Sequence, residues 1–369
     1  MSTITLGFVE SAPPWQLVSH LFPDKVGGRP AWLALNHLPP DLSCPHCKNS
    51  MAFLLQLYSP LDEREDCFHR MLFVFMCKNG VCFQPQNGVK ANPFRVFRSQ
   101  LPKENPYYSS DPPPDPSQAT EESTLKLFRS GEVPTPGIVV NLCPVCGCPG
   151  SKSCANCKLA HYCSKEHQAS TIHWKEGHKT GCPNYDYLDE LFRSNSFLLP
   201  EFALTSETFD KGGDDTTATD ESDDDFDAEI IEGPDVSNAE KEEFVALEMV
   251  SRKETKEERT FFRFKEILKK EPDQVVRFNR GGSPLWASPC PVDPPPCSIC
   301  GGKRIFEFQI TPQLLSYLKL DKVGEASPDF ATVYIFTCEN SCPLALSGAI
   351  EGTSSHEYIE EFITFDPVS

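Results

Sequence analysis

The feature that most constrains this chain is a pattern of glycines, cysteines and strands that occurs twice. GGRPAWL, with Gly27, Gly28, Pro30 and Trp32, returns far downstream as GGSPLWA, with Gly281, Gly282, Pro284 and Trp286. CPHCKNSMAFLLQLY (44–58) follows the first, and CSICGGKRIFEFQIT (297–311) follows the second. With Cys47 placed on Cys300, Phe53 falls on Phe306, Leu55 on Phe308, Gln56 on Gln309 and Leu57 on Ile310. Apolar alternation at 53, 55 and 57, and again at 306, 308 and 310, predicts one half-buried strand in the same register twice. FVFMCKN (73–79) then matches YIFTCEN (334–340). Each match is weak alone, but their shared order points to a duplicated β-rich unit.

Each copy carries four thiols: Cys44, Cys47, Cys77 and Cys82, then Cys297, Cys300, Cys338 and Cys342. Two thiolates on a tight knuckle, met by two from a second turn, suit tetrahedral zinc with bonds of about 2.3 Å. Four thiolates leave no open position, so such a metal is structural. Ordinary buried thiols of a duplicated sheet give the same pattern. The second pairs are also unevenly spaced, with four intervening residues in one copy and three in the other. The eight are candidate ligands on these terms. The chain has 17 cysteines, mostly in short pairs, and its first residues lack the basic and apolar regions of a signal peptide. No apolar stretch approaches the roughly 20 residues that span a bilayer. Reduced, intracellular cysteines are expected, and there metal ligation is a better reading than disulfides. Cys67, Cys148 and Cys290 are left over.

Between the copies lies LCPVCGCPGSKSCANCKLAHYCSKEHQASTIHWKEGHKTGC (142–182). Its candidate ligands form four pairs: Cys143 and Cys146, Cys154 and Cys157, Cys163 and His167, His178 and Cys182. Eight ligands are the count for two closed zinc sites, and a segment this short and polar needs metal to fold. YCSKEHQ followed by HWKEGHKTGC resembles the MYND zinc finger. In that family the pairs interleave, which implies Cys143, Cys146, Cys163 and His167 at one zinc and Cys154, Cys157, His178 and Cys182 at the other. A cysteine is more usual where His167 stands; imidazole is a competent ligand, with affinity falling more readily in mild acid. His161 and His173 are not expected to ligate. MYND fingers bind short proline-containing peptides, which makes Trp174 and Tyr162 candidates for a groove; either could instead pack the finger's small core, Tyr162 more readily than Trp174.

The order of parts is similar to that of the programmed cell death protein 2 family. MAFLLQLYSPL, FHRMLFVFMC, the finger, PDQVVRFNRGGSPLW, CSICGGKRIFEFQITPQLL and YIFTC carry the resemblance. It implies a eukaryotic factor in small ribosomal subunit production, present in cytoplasm and nucleus. Such factors act as dedicated chaperones that capture a newly made small-subunit ribosomal protein, with proliferation and stem-cell maintenance following from that role. The expected fold is α+β and β-rich: two related β-sheet lobes with the finger inserted between them. The expected domains are an N-terminal lobe (1–105), a Pro-rich linker (106–137), the finger (138–185), a short connecting segment (186–204), a disordered acidic linker (205–237) and a C-terminal lobe (238–369). Within the last, 238–270 reads as an amphipathic helix through Phe244, Leu247, Phe261, Phe264 and Leu268, ended by Pro272.

Charge narrows the partners. There are 34 basic and 53 acidic residues, a net charge of −19, and 210–232 alone holds eleven acidic residues and one lysine. Direct nucleic-acid binding needs a basic face, so a basic protein is the expected partner, steered by charge. No enzyme is expected: closed zinc sites are not catalytic, and neither a phosphate loop nor a nucleophile with its base stands out. The tripeptide at 36–38 resembles a motif of MYND-bearing histone-lysine methyltransferases, but its flanking pattern is missing. A co-regulator acting through the MYND groove is the competing expectation. LLSYLKL (314–320) has export-signal spacing and also reads as a core helix.

Overall fold

The structure, a computed structural model, describes residues 3–84, 92–137, 140–169, 178–210, 255–321, 326–342 and 358–368. Cys-flanked hairpins from both repeats build one sheet. In the first repeat β3 (Ala52–Tyr58) pairs with β4 (His69–Met76), and β4 with β5 (Phe94–Leu101). In the second, β9 (Gln274–Phe278) pairs with β10 (Arg304–Ile310), and β10 with β11 (Thr332–Cys338). Three strands join the halves: β1 (Thr3–Glu10), the two-residue β2 (Lys25–Val26) and β8 (Phe202–Asp210). A separate pair, β6 (Lys152–Ser153) and β7 (His161–Tyr162), lies in the finger. With β12 (Ile359–Glu360) and β13 (Phe362–Asp366) at its ends, the large sheet has eleven strands among the described residues, in the order β12-β5-β4-β3-β2-β8-β1-β9-β10-β11-β13. The two expected lobes are thus corrected to one continuous sheet.

The two ends of that order are neighbours in the chain. Only Glu361 separates β12 (Ile359–Glu360), which pairs with β5, from β13 (Phe362–Asp366), which pairs with β11. One short C-terminal stretch therefore closes both seams, giving a barrel-like sheet with no edge at β5 or β11 over that length.

The strand alternation needs a second correction. A β-bulge lies between Phe53 and Leu55, and another between Phe306 and Phe308. Each inserts a residue and flips the face. Phe53 packs with Trp32 and Phe75, whereas Leu55 and Leu57 enter a core shared with Phe308, Ile310, Val333 and Ile335. Phe306 likewise packs with Trp286 and Phe336, away from that core. These strands are not half-buried: six of the seven residues of β3 and five of the seven of β10 are buried.

Both repeats also use the same glutamine. Gln56 Oε1 accepts the Ala31 N–H at 2.9 Å, and Gln309 Oε1 accepts the Leu285 N–H at 2.7 Å. Trp32 packs on Phe73 with ring centroids 5.0 Å apart, and Trp286 on Tyr334 at 4.7 Å.

Two expected segments are corrected. The Pro-rich linker contains helix α1 (Glu121–Ser130), closed by a Thr120–Ser123 capping box and by Gly131 at φ 74°, with Phe128 buried against His20. Its upstream prolines masked that cap. The last three residues of the connecting segment and the first six of the acidic linker form β8, where Thr and Phe favour extended chain. Residues 211–237, the rest of that linker, lie outside the described residues, as do 238–254 of the expected long helix. Its described part is α2 (Lys256–Lys270), capped by Thr255 and Glu258, with Phe264 and Leu268 buried. The segment at 314–320 is core: Leu314, Leu315 and Leu318 are buried beneath the sheet. No described helix is long and apolar enough to cross a membrane.

Candidate metal centres

Four clusters come together, each with ligand atoms within 4.8 Å of one another: Cys44, Cys47, Cys77, Cys82; Cys143, Cys146, Cys163, His167; Cys154, Cys157, His178, Cys182; and Cys297, Cys300, Cys338, Cys342. All sixteen candidate ligands are placed, in the interleaved finger pairing. Cys67, Cys148, Cys290 and His161 lie outside the clusters. Trp174 and His173 lie outside the described residues. Tyr162 is 1% exposed, so it fills the finger's core rather than lining a groove.

The geometry fits a tetrahedral ion. Cys44 and Cys82 sulfurs lie 3.9 Å apart and Cys47 and Cys77 3.6 Å apart; in the second repeat Cys297 and Cys342 lie 3.7 Å and Cys300 and Cys338 3.5 Å apart. A tetrahedron with 2.3 Å bonds has edges of about 3.8 Å. In the finger, Cys146 stands 3.6 Å from Cys163, and Cys157 3.5 Å from His178 Nε2.

Each cluster is founded on the same knuckle. The N–H donors of Lys48, Gly147, Lys158 and Gly301 reach back to the carbonyls of Cys44, Cys143, Cys154 and Cys297 at 3.0, 2.7, 3.1 and 2.8 Å. All four donors are left-handed, with φ of 61°, 73°, 63° and 69°. Two are lysines, for which that conformation costs about 1–2 kcal/mol, an expense that a bound ion would offset. The Gly302 N–H aimed at Cys300 holds that thiol down at about 7, while burial pushes Cys82 up to about 11. Four crowded sulfurs become thiolates together only around a cation. Zinc would be held by these donors, supplying folding free energy and no reactive position.

The finger is docked rather than tethered. Arg29, buried in GGRPAW, donates through Nε and Nη2 to the Pro144 carbonyl at 3.2 and 2.7 Å, and through Nη1 to the carbonyls of Leu191 and Arg193 at 3.0 and 2.8 Å. Trp32 Nε1 donates to the Gly147 carbonyl at 2.8 Å. A Cβ at Gly147 would sit 2.9 Å from Arg29, so this knuckle needs glycine twice over. Sequence reasoning missed Arg29; the signal was there, because Ser283 stands at its place in the other repeat. Arg29→Ala is expected to cost about 2–3 kcal/mol by leaving buried carbonyls unpaired, and to speed amide exchange through 143–147. Wild-type exchange there would show that docking rests elsewhere. A cleft of about 330 Å³ separates the finger from the first-repeat cluster, lined by Lys78, Asn79, Glu166, His167 and Phe197.

Sheet and sites together define a β-rich scaffold with a MYND-type zinc-binding finger set into it. A MYND finger model matches residues 143–182, and the N- and C-terminal domain models of programmed cell death protein 2 match 3–115 and 258–367. Programmed cell death protein 2 of Bos taurus is 44% identical over 365 residues, 97% of this chain and 94% of that protein. The Rattus norvegicus protein of that name is 41% identical over 98% of this chain and 95% of its own length. A Schizosaccharomyces pombe protein named "Probable 20S rRNA accumulation protein 4" is 24% identical over 86% of this chain and 87% of its own length. The chain belongs to the programmed cell death protein 2 family. No solved structure matches it.

Proposed function

We propose that this protein is a non-enzymatic chaperone that captures a newly made, basic small-subunit ribosomal protein and supports assembly of that subunit, in cytoplasm and nucleus. The observation that carries this reading is similarity, over 86% of the chain, to a relative whose name refers to rRNA accumulation. The net charge of −19 supports it, since a protein built to sit on phosphate presents a basic surface that an acidic partner covers. Support for proliferating and stem cells follows from that role. All four clusters hold zinc in this reading, and the two halves descend from a duplication, supported by the matching bulges, glutamines and knuckles.

The match to a MYND finger, a family that binds proline-containing peptides, supports the rival role of a co-regulator, and the full chain separates the two. Protein purified from cells should retain one basic ribosomal protein, lose part of it in high salt, and keep it when Trp174→Ala removes the finger's aromatic candidate. Loss of the main partner in that variant would favour the co-regulator instead.

A further inference from the structure

β8 has one partnered edge and one that is mostly bare. Along β1 it is paired over its full length, from Glu10↔Ala203 to Thr3↔Asp210. Along β2 pairing covers only Lys25↔Ala203 and Val26↔Phe202. Pro23 then offers no N–H, and Phe22, left-handed at φ 48°, turns the chain away. The last contact on this side is the Leu204 N–H, which donates to the Asp24 carbonyl at 2.9 Å. Backbone direction alternates by two, so Ser206 and Thr208 aim their N–H and C=O groups the same way, with no backbone partner among the described residues. Thr205, Ser206, Glu207 and Thr208 are all exposed.

Among the described residues this edge has no proline, lysine or covering element, and such an edge is a template for another strand. This one runs directly into the segment with eleven acidic residues at 210–232. We infer that β8 binds an extended, lysine- and arginine-rich segment of a partner protein by strand addition at Ser206 and Thr208, its basic charge matched to the chain's net charge of −19. The inference rests on the chaperone reading and says which surface takes hold of the client. Main-chain bonds supply affinity, and charge supplies rate and selectivity. Nucleic acid is disfavoured by the same charge.

The test uses the full chain and a fluorescent dodecapeptide, three repeats of Lys-Val-Arg-Thr. Ser206→Pro and Thr208→Pro remove an outward N–H and leave the β1 ladder intact, so binding should weaken at least about tenfold. Neutralising the acidic run to asparagine should weaken binding at low salt and change little at high salt. In the wild-type chain, hydrogen exchange at amides 206 and 208 should slow when peptide is added, a readout independent of the variants' folding. Equal binding by both proline variants, or unprotected amides, overturns the inference, as does a second copy of the chain occupying the edge in sedimentation. If the proline variants still retain a basic client from cells at the wild-type level, the edge assignment falls and the chaperone reading stands. If the wild-type chain retains none, that reading falls.

Discussion

Replacing Arg70 with methionine is expected to destabilise the folded chain by about 3–5 kcal/mol. Arg70 on β4 and Glu307 on β10 are both 0% exposed and form a two-pronged pair at 2.7 and 2.9 Å. The pair links strands of different repeats across the interior. Arg70 also donates to the Ser59 carbonyl at 3.1 Å and to Thr337 at 3.2 Å, so its loss orphans several buried acceptors. Burial by itself would raise the Glu307 carboxyl, yet Arg70, Arg280 and Thr337 hold it at about 2. A carboxylate held down in the native state contributes stability that is complete above about 4.5 and lost as pH falls toward 2. In Arg70→Met that contribution shrinks, and acid unfolding should begin at higher pH. Urea unfolding between pH 7 and pH 3 measures both effects. Adding Glu307→Leu should recover much of the loss, because breaking a buried pair costs more than replacing it. A single variant as stable as wild type would mean the pair contributes nothing.

Cys338→Ser should have the other large effect. Purified wild-type protein should carry about four zinc ions per chain and the variant about three. Cys338 ends β11, and its N–H donates to Glu361 at 3.2 Å. The turn leading to Cys342 is gripped from the first repeat: Arg98 donates to the Cys342 carbonyl at 3.3 Å and Gln100 to the Ser341 carbonyl at 3.2 Å. Arg98 also pairs with Glu361 at 2.8 Å, both fully buried. Losing the ion should therefore loosen the seam as well as the knuckle, at a cost drawn from the roughly 10–16 kcal/mol such sites supply. Cys67 is equally buried but outside every cluster, so Cys67→Ser should leave the metal content unchanged. An unchanged metal content in Cys338→Ser would remove zinc from this cluster.

The cysteine clusters were legible because ligand spacing is local and the repeat states it twice. The same holds for Trp32 and Trp286, whose setting is copied. What failed was whatever depended on composition or on distant partners. Proline-rich surroundings hid the Thr120–Ser123 cap of α1, and the acidic run hid β8 at its margin. Glu307, set between Phe306 and Phe308, read as the solvent side of a half-buried strand. It is interior because a bulge flips Phe306 and because Arg70, more than 200 residues away, meets it. No local pattern announces a two-residue strand such as β12, whose place is set by Glu361 reaching Arg98 and Arg304.

The double seam has a consequence for synthesis. Arg98 and Glu361 are 263 residues apart, so at ordinary translation rates β5 leaves the ribosome on the order of 10–50 s before its closing strand exists. Through that interval the nascent chain carries an open β5 edge, and later an open β11 edge as well. A chain cut before residue 359 would keep both edges open permanently, a form prone to pair with its own copies.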